Sequence, residues 1–184
     1  ASDVYKRQTY GTQLHATYAA QAKKYRELIL KSSEKDTYAY MRAEVAQLSE
    51  QGNKKKAIAM LEAYLKRWRK QDHEYAMVCY DLSQLYDKVG NTKKENFYLI
   101  ESAMGDLRSS AKENNSLRLL SVILFEQGDI ERAYDYLNIS IEDANFYGTR
   151  LRNIQNSHIL PRIFSAYMVQ QHSQRTLMKW LLIA

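Results

Sequence analysis

A single cysteine, Cys79, in 184 residues rules out an internal disulfide framework and any site built on several thiolates. Its neighbours Ala76, Met77, Val78 and Tyr80 make it read as a small buried residue. One proline and six glycines leave few helix breakers, while Ala, Leu, Lys, Glu, Gln and Tyr are abundant. The four histidines, His15, His73, His158 and His172, are scattered, and none pairs at helical spacing as metal ligands do. No Gly-rich phosphate loop, nucleophile elbow or Cys–His pair occurs. The expectation is therefore a non-enzymatic protein with no catalytic residue, metal site or cofactor. Long apolar runs are also missing. A bilayer span needs roughly 20 such residues, and Leu177-Met-Lys-Trp-Leu-Leu-Ile-Ala184 has only the character of one beginning.

Acidic residues are unevenly absent. Residues 1–72 carry 15 basic and 8 acidic side chains (+7), 73–147 carry 7 and 13 (−6), and 148–184 carry 5 and none (+5), which sum to the net +6. A nucleic-acid reader usually presents one continuous basic stripe. Here an acidic block interrupts it, and solvated helix faces account for the charges more simply. The clusters Lys23-Lys-Tyr-Arg26, Lys54-Lys-Lys56 and Lys66-Arg-Trp-Arg-Lys70 are the places where a base could stack. The simpler reading of the last is a helix with Trp68 inward and its cations fanned into solvent. RNA binding is thus the third-ranked function.

What is present is a repeat. Gln51-Gly52-Asn53, Val89-Gly90-Asn91 and Gln127-Gly128-Asp129 place glycines 38 residues apart, twice over. Apolar residues at helical spacing precede each glycine: Val78, Leu82, Leu85, Tyr86 and Val89 before Gly90; Leu117, Leu120, Ile123, Leu124 and Phe125 before Gly128. Glycine supplies the left-handed conformation at a helix C-terminus, and Asn or Asp caps the helix that follows. The unit is helix, Gly turn, helix, used three times.

These units resemble the tetratricopeptide repeat. Aligned on the turn glycine, the family's first-helix positions fall on Leu82, Ser83 and Tyr86, and on Leu120, Ser121 and Leu124. Its second-helix small residue falls on Ala57 and Ala133, followed by Leu61 and Leu137. The period of 38 exceeds the family's usual 34 and implies second helices about one turn longer. The closing proline is absent, Glu95 takes the small position of the middle repeat, and Glu44-Val45 replace the apolar–small pair of the first. The segments Asp106–Leu117, Glu126–Leu137, Glu142–Gln155 and Ile159-Leu160-Pro161 resemble more narrowly the membrane-anchored tetratricopeptide regulators of Bacteroidetes. That resemblance implies an exported sensory array preceding a single membrane helix.

The expected architecture is all-α, a right-handed helical-hairpin solenoid with a C-terminal capping helix. Residues 1–8 are left as an unassigned tail, and 9–35 as a helix of a truncated preceding repeat. Residues 36–147 form three repeats (about 36–72, 73–112 and 113–147), 148–176 the cap, and 177–184 the start of a transmembrane helix. The opening on Ala1, the missing signal-peptide core and the apolar close predict a fragment of a longer chain. Arg175 and Lys179 beside the apolar run favour a cytoplasmic side, although long domains cross regardless. In the cap, Leu151, Ile154, Ile163, Phe164 and Tyr167 are expected to cover the last repeat, and Pro161 to kink the helix.

First helices line the groove of such arrays, and their outward positions are Arg42, Tyr80, Gln84, Arg118 and Phe125. Arg and Tyr suit binding hot spots; the plainer alternative is that the two arginines are solvated and Phe125 is core. Ala39, Ala46, Met77 and Gln84 do not supply the Lys and Asn of a chaperone-type carboxylate clamp. The expected function is an interaction or sensor array of a membrane-anchored signalling or transcription-regulatory protein on the periplasmic face of the inner membrane. A protein, peptide or small ligand would sit in its groove, and attachment would lie beyond residue 184. The alternative is a free-standing cytoplasmic scaffold. Oligomeric state is left open.

Overall fold

The structure, a computed structural model, describes residues 13–111 and 115–183, with side chains from Tyr18 onward. The tail at 1–8, the first residues of the 9–35 segment, the side chain of His15 and Ala184 lie outside the described residues. Eight helices and no strand occur among them: α1 Gln13–Ser32, α2 Tyr38–Glu50, α3 Lys54–Leu65, α4 His73–Lys88, α5 Thr92–Arg108, α6 Asn115–Glu126, α7 Ile130–Phe146 and α8 Arg150–Ile183. The chain divides into two compact units, 1–61 and 62–184.

In the first unit α1 packs against α2, and Arg26 pairs with Glu50 at 2.5 Å. The Thr37 side chain caps α2 by accepting from the Tyr40 N–H. Met41, Ala43 and Val45 are buried on α2, and Ala57 and Leu61 on α3. Gly52 turns the chain between the two helices at φ +82°.

The second unit repeats that turn. At Gly52, Gly90 and Gly128 the residue after glycine donates its N–H five residues back, to Leu48, Tyr86 and Leu124 respectively. Glycine's own N–H reaches Ser49, Asp87 and Phe125. This is a Schellman turn, which satisfies carbonyls that the helix end leaves unpaired. Asn91 and Asp129 then cap α5 and α7 by accepting from Lys94 N and Arg132 N. The same geometry ends α5 at Ser110 (φ +55°) and α7 at Gly148 (φ +63°). Neither was expected from the repeat spacing.

The interior is that of the repeat. Leu82, Ser83, Tyr86, Leu120, Ser121, Ala133 and Leu137 are buried, while Leu124 is half-buried against the Ala133, Leu137, Ile163 cluster. In the middle repeat, where Glu95 takes the small position, close approach occurs at Gly105. A Cβ there would sit 2.9 Å from Ala76 Cβ of α4. The extra length of the period is distributed unevenly. Helices α5 and α7 have 17 residues each, but α3 stops at Leu65 after 12, and turns occupy 66–72.

Those turns correct one expectation: Lys66–Lys70 is not a helical face. Arg67 lies over the Tyr64 ring at 4.9 Å, Arg69 pairs with Asp72 at 3.0 Å, and Lys70 pairs with Glu101 at 2.9 Å. Three of the cluster's cations are thus engaged within the chain.

Helix α8 differs from expectation in which residues it buries. It continues through Pro161, and its buried residues are Asn156 and Ile163. Ile159 and Leu160 are half-buried beside Ile163, and Tyr167 stacks on Tyr134 with centroids 4.1 Å apart. Residues 156, 159, 160, 163 and 167 form a single stripe at helical spacing. Leu151 and Ile154 fall off that stripe and are 68% and 56% exposed, so they do not cover the last repeat. Phe164 lies at its edge, 45% exposed, with its ring 6.1 Å from Tyr134. No helix among the described residues is long and apolar enough to cross a membrane.

Candidate interaction face

Helices α4 and α6 each present a polar flank beside their buried stripe. Tyr80 is half-buried on α4, with its ring against the cluster of Leu99, Ala103, Leu117 and Leu120. Its hydroxyl accepts a 2.6 Å hydrogen bond from Asn115 Nδ2. Asn115 Oδ1 in turn accepts from Arg118 Nε at 3.0 Å. Two of the expected groove residues, Tyr80 and Arg118, are therefore joined across α4 and α6 by an asparagine that the pattern of large groups had not singled out. Asn and Asp at a helix start usually cap it; Asn115 instead uses both ends of its amide as a brace. Gln84, one turn beyond Tyr80, is half-buried.

Phe125 joins a different group. It packs against the Ala133, Leu137, Ile163 cluster, and the Arg162 guanidinium of α8 lies 5.5 Å from its ring centroid. It is thus partly core and partly the floor of an open groove of about 690 Å³ between α6 and α8. Arg42 is exposed on α2, in the first unit.

Two polar clusters accompany the face without belonging to it. Tyr86 donates to Glu62 Oε1 at 2.7 Å, Tyr98 donates to the same oxygen at 3.3 Å, and Lys94 donates to the Tyr86 hydroxyl at 2.8 Å. The Tyr86 hydroxyl and, secondarily, Lys94 hold the Glu62 carboxyl below the usual range against the opposing effect of burial. On α4, Tyr75 donates to Glu101 at 2.7 Å. Burial pushes the neighbouring Cys79 thiol up to about 12. At neutral pH Cys79 is a neutral, enclosed thiol, the opposite of an activated nucleophile.

Helical hairpins closed by Schellman turns, with Gly105 against Ala76 in one pair and Ala133 buried in the next, and a polar flank on the first helices define a helical-repeat protein of the tetratricopeptide class. The family described as the SusR N-terminal TPR domain matches residues 3–158, and the chain belongs to it. It is a tetratricopeptide array of the kind found in SusR-type regulators of Bacteroidetes. Among solved structures it is similar to the TPR-like repeats of a Podosopora anserina protein described as a kinesin light chain. The identity is 14%, the TM-score 0.50, and the alignment covers 96% of this chain and 89% of that one. A point variant of that protein aligns with a TM-score of 0.49 at the same identity and coverage. No curated protein matches the chain. Repeats of this class generally serve as non-enzymatic scaffolds for protein or peptide partners.

Proposed function

We propose that the chain is the interaction and sensor array of a membrane-anchored regulator, and that its α4–α6 face contacts the partner. The observation that carries this reading is the Tyr80–Asn115–Arg118 brace. It holds an aromatic and a guanidinium in fixed register on a surface flank, which lowers the ordering cost of binding. Gln84 extends the face along α4, Phe125 extends it along α6, and Arg42 is the corresponding position of the first repeat. Membership of the regulator family and the apolar run at 177–184 support attachment beyond residue 184, with the array on the periplasmic face of the inner membrane. A peptide, protein or small ligand would then shift the packing of α8 against the final repeat. That shift requires only unequal affinity for two arrangements.

Tyr80→Ala is a poor test, because its ring also belongs to the core cluster. Gln84→Ala with Arg118→Ala keeps the core. In cells carrying the full-length protein, this double variant should reproduce the transcript changes caused by deleting the gene. The melting temperature of the 184-residue chain should move by no more than about 2 °C. A wild-type transcript profile would remove the face from function. Protease added to spheroplasts should cut the array; protection would place it in the cytoplasm and end the exported reading.

A further inference from the structure

Building on the interaction role proposed above, we infer that the groove between α6 and α8 docks an acidic amphipathic peptide segment, with an apolar side chain on Phe125 and a carboxylate on Arg162.

The groove has the composition of a side-chain pocket. Phe125 forms its floor, while Pro161, Ala166 and Val169 supply apolar wall and Arg162 and Gln170 supply polar groups. Val169 is 65% exposed, and Met168 and Phe164 continue the apolar flank along α8.

Charge selects the occupant. Residues 148–184 contain five cations and no acidic residue. Among the described residues, none of Arg150, Arg152, Arg162, Arg175 and Lys179 is ion-paired. Some bases elsewhere have acidic partners within the chain, as in Arg69–Asp72 and Lys70–Glu101, whereas 148–184 holds no acidic residue to supply one. The contact of Arg162 with Phe125 uses the charge of the guanidinium and the ring face. A guanidinium also offers N–H donors in its plane, which recognise a carboxylate in a bidentate fork. An apolar pocket beside a cation thus calls for an apolar group beside an anion.

A peptide fits this arrangement better than a polyanion or a bilayer. Phosphate backbones are held by several converging cations. Along α8 the nearest basic residues to Arg162 are ten residues before it and thirteen after, or about 15 Å and 20 Å at helical rise. A flat lipid surface would reach Val169, which is 65% exposed, more readily than Phe125, which is half-buried.

Random twelve-residue peptides displayed on phage and selected on the 184-residue chain give the test. Enriched sequences are then synthesised and measured by fluorescence anisotropy. The expected motif pairs Asp or Glu with Leu, Ile, Met or Phe, adjacent or one turn away. Arg162→Gln should weaken binding roughly tenfold, and Arg162→Glu should abolish it. Val169→Asp should act similarly through the apolar wall. Both positions are exposed enough that the thermal melt should stay unchanged. Enrichment of basic or uncharged motifs overturns the proposal. So does binding that Arg162→Glu leaves intact but Gln84→Ala with Arg118→Ala removes, an outcome that preserves the α4–α6 interaction face. Enrichment of no peptide overturns both. Arg162-dependent sedimentation with phosphatidylglycerol vesicles, or retention on single-stranded DNA, in place of peptide binding would also sink it.

Discussion

Helices α4 and α8 are both first helices by position after a turn, yet they are built on different terms. Eight of the 16 residues of α4 are buried, including Ala76, Cys79 and Leu82 at zero exposure. Helix α8 has 34 residues and buries two, one of which is Asn156 with both amide atoms unpartnered. Helix α4 packs against α5 and carries Tyr80 into the cluster that α5 and α6 share. Helix α8 is held along one narrow stripe and leaves apolar and basic groups facing outward. In a repeat protein stability is roughly a sum of neighbour interfaces.

The contrast predicts a large asymmetry between two leucines. Leu82→Ala deletes a fully buried side chain on α4 and should cost about 2–5 kcal/mol, seen as a drop in the denaturation midpoint. Leu151→Ala on α8 removes a group that is 68% exposed and should cost less than about 0.5 kcal/mol. Equal losses would mean that α8 is covered in solution as fully as α4.

Much of that contrast could be read from sequence on the α4 side and little on the α8 side, for a physical reason. Where a helix is buried, periodicity reports burial directly, so spacing points to Leu82 and Tyr86, while Ala133 and Leu137 follow from the resemblance to the repeat family. The three turn glycines were found because each ends a first helix at a constant interval. Gly148 and Ser110 perform the same turn at the ends of second helices, off that interval, and Ser110 does so without the usual residue. On α8 apolar residues occur on all sides. Leu151, Ile154 and Ile163 looked equivalent, and only the neighbouring helix decides that 163 is inside. The Tyr80–Asn115–Arg118 brace is half visible in the sequence: repeat register marks Tyr80 and Arg118 as groove positions, but nothing in the spacing marks Asn115. The basic run at 66–70 was misplaced on a helix because α3 ends a turn before its composition does.

A second variant sharpens the comparison from the weak side. Asn156 is 2% exposed, and neither its Nδ2 nor its Oδ1 has a partner. An unsatisfied buried amide costs about 1–3 kcal/mol. Asn156→Leu keeps the branch at Cγ and removes that penalty, partly offset by its larger volume, so the chain should gain about 1 kcal/mol, and amide exchange along α8 should slow. A loss of stability would show that the amide is satisfied in solution, by water for instance. In the proposed regulator the stabilised variant should also respond less to its ligand, because α8 would already be held.

The smallest effect tests whether the well-packed region also depends on its polar rim. Glu62 accepts from Tyr86 and Tyr98 and lies 3.5 Å from Lys94. Hydrogen bonding from Tyr86, with Lys94 contributing, depresses its pKa in the folded chain relative to the unfolded one. A depressed carboxyl contributes stability that is present above its unfolded pKa, near 4.5, and lost as pH falls through the lower folded value. Tyr86→Phe removes the largest of those contributions while keeping the ring that stacks on Tyr98. A buried charge-assisted bond contributes about 1.5–3 kcal/mol, but the Glu62 side chain is 36% exposed and solvent screens it. The expected loss at pH 7 is therefore about 1 kcal/mol. It should shrink as the pH is lowered below the ordinary carboxylate range, because Glu62 is then protonated in both proteins. Urea midpoints of wild type and Tyr86→Phe at pH 7 and at pH 3 measure this directly. A gap that stays constant between the two would assign the effect to the Tyr86 hydroxyl's other partner, Lys94, and remove Glu62 from the account.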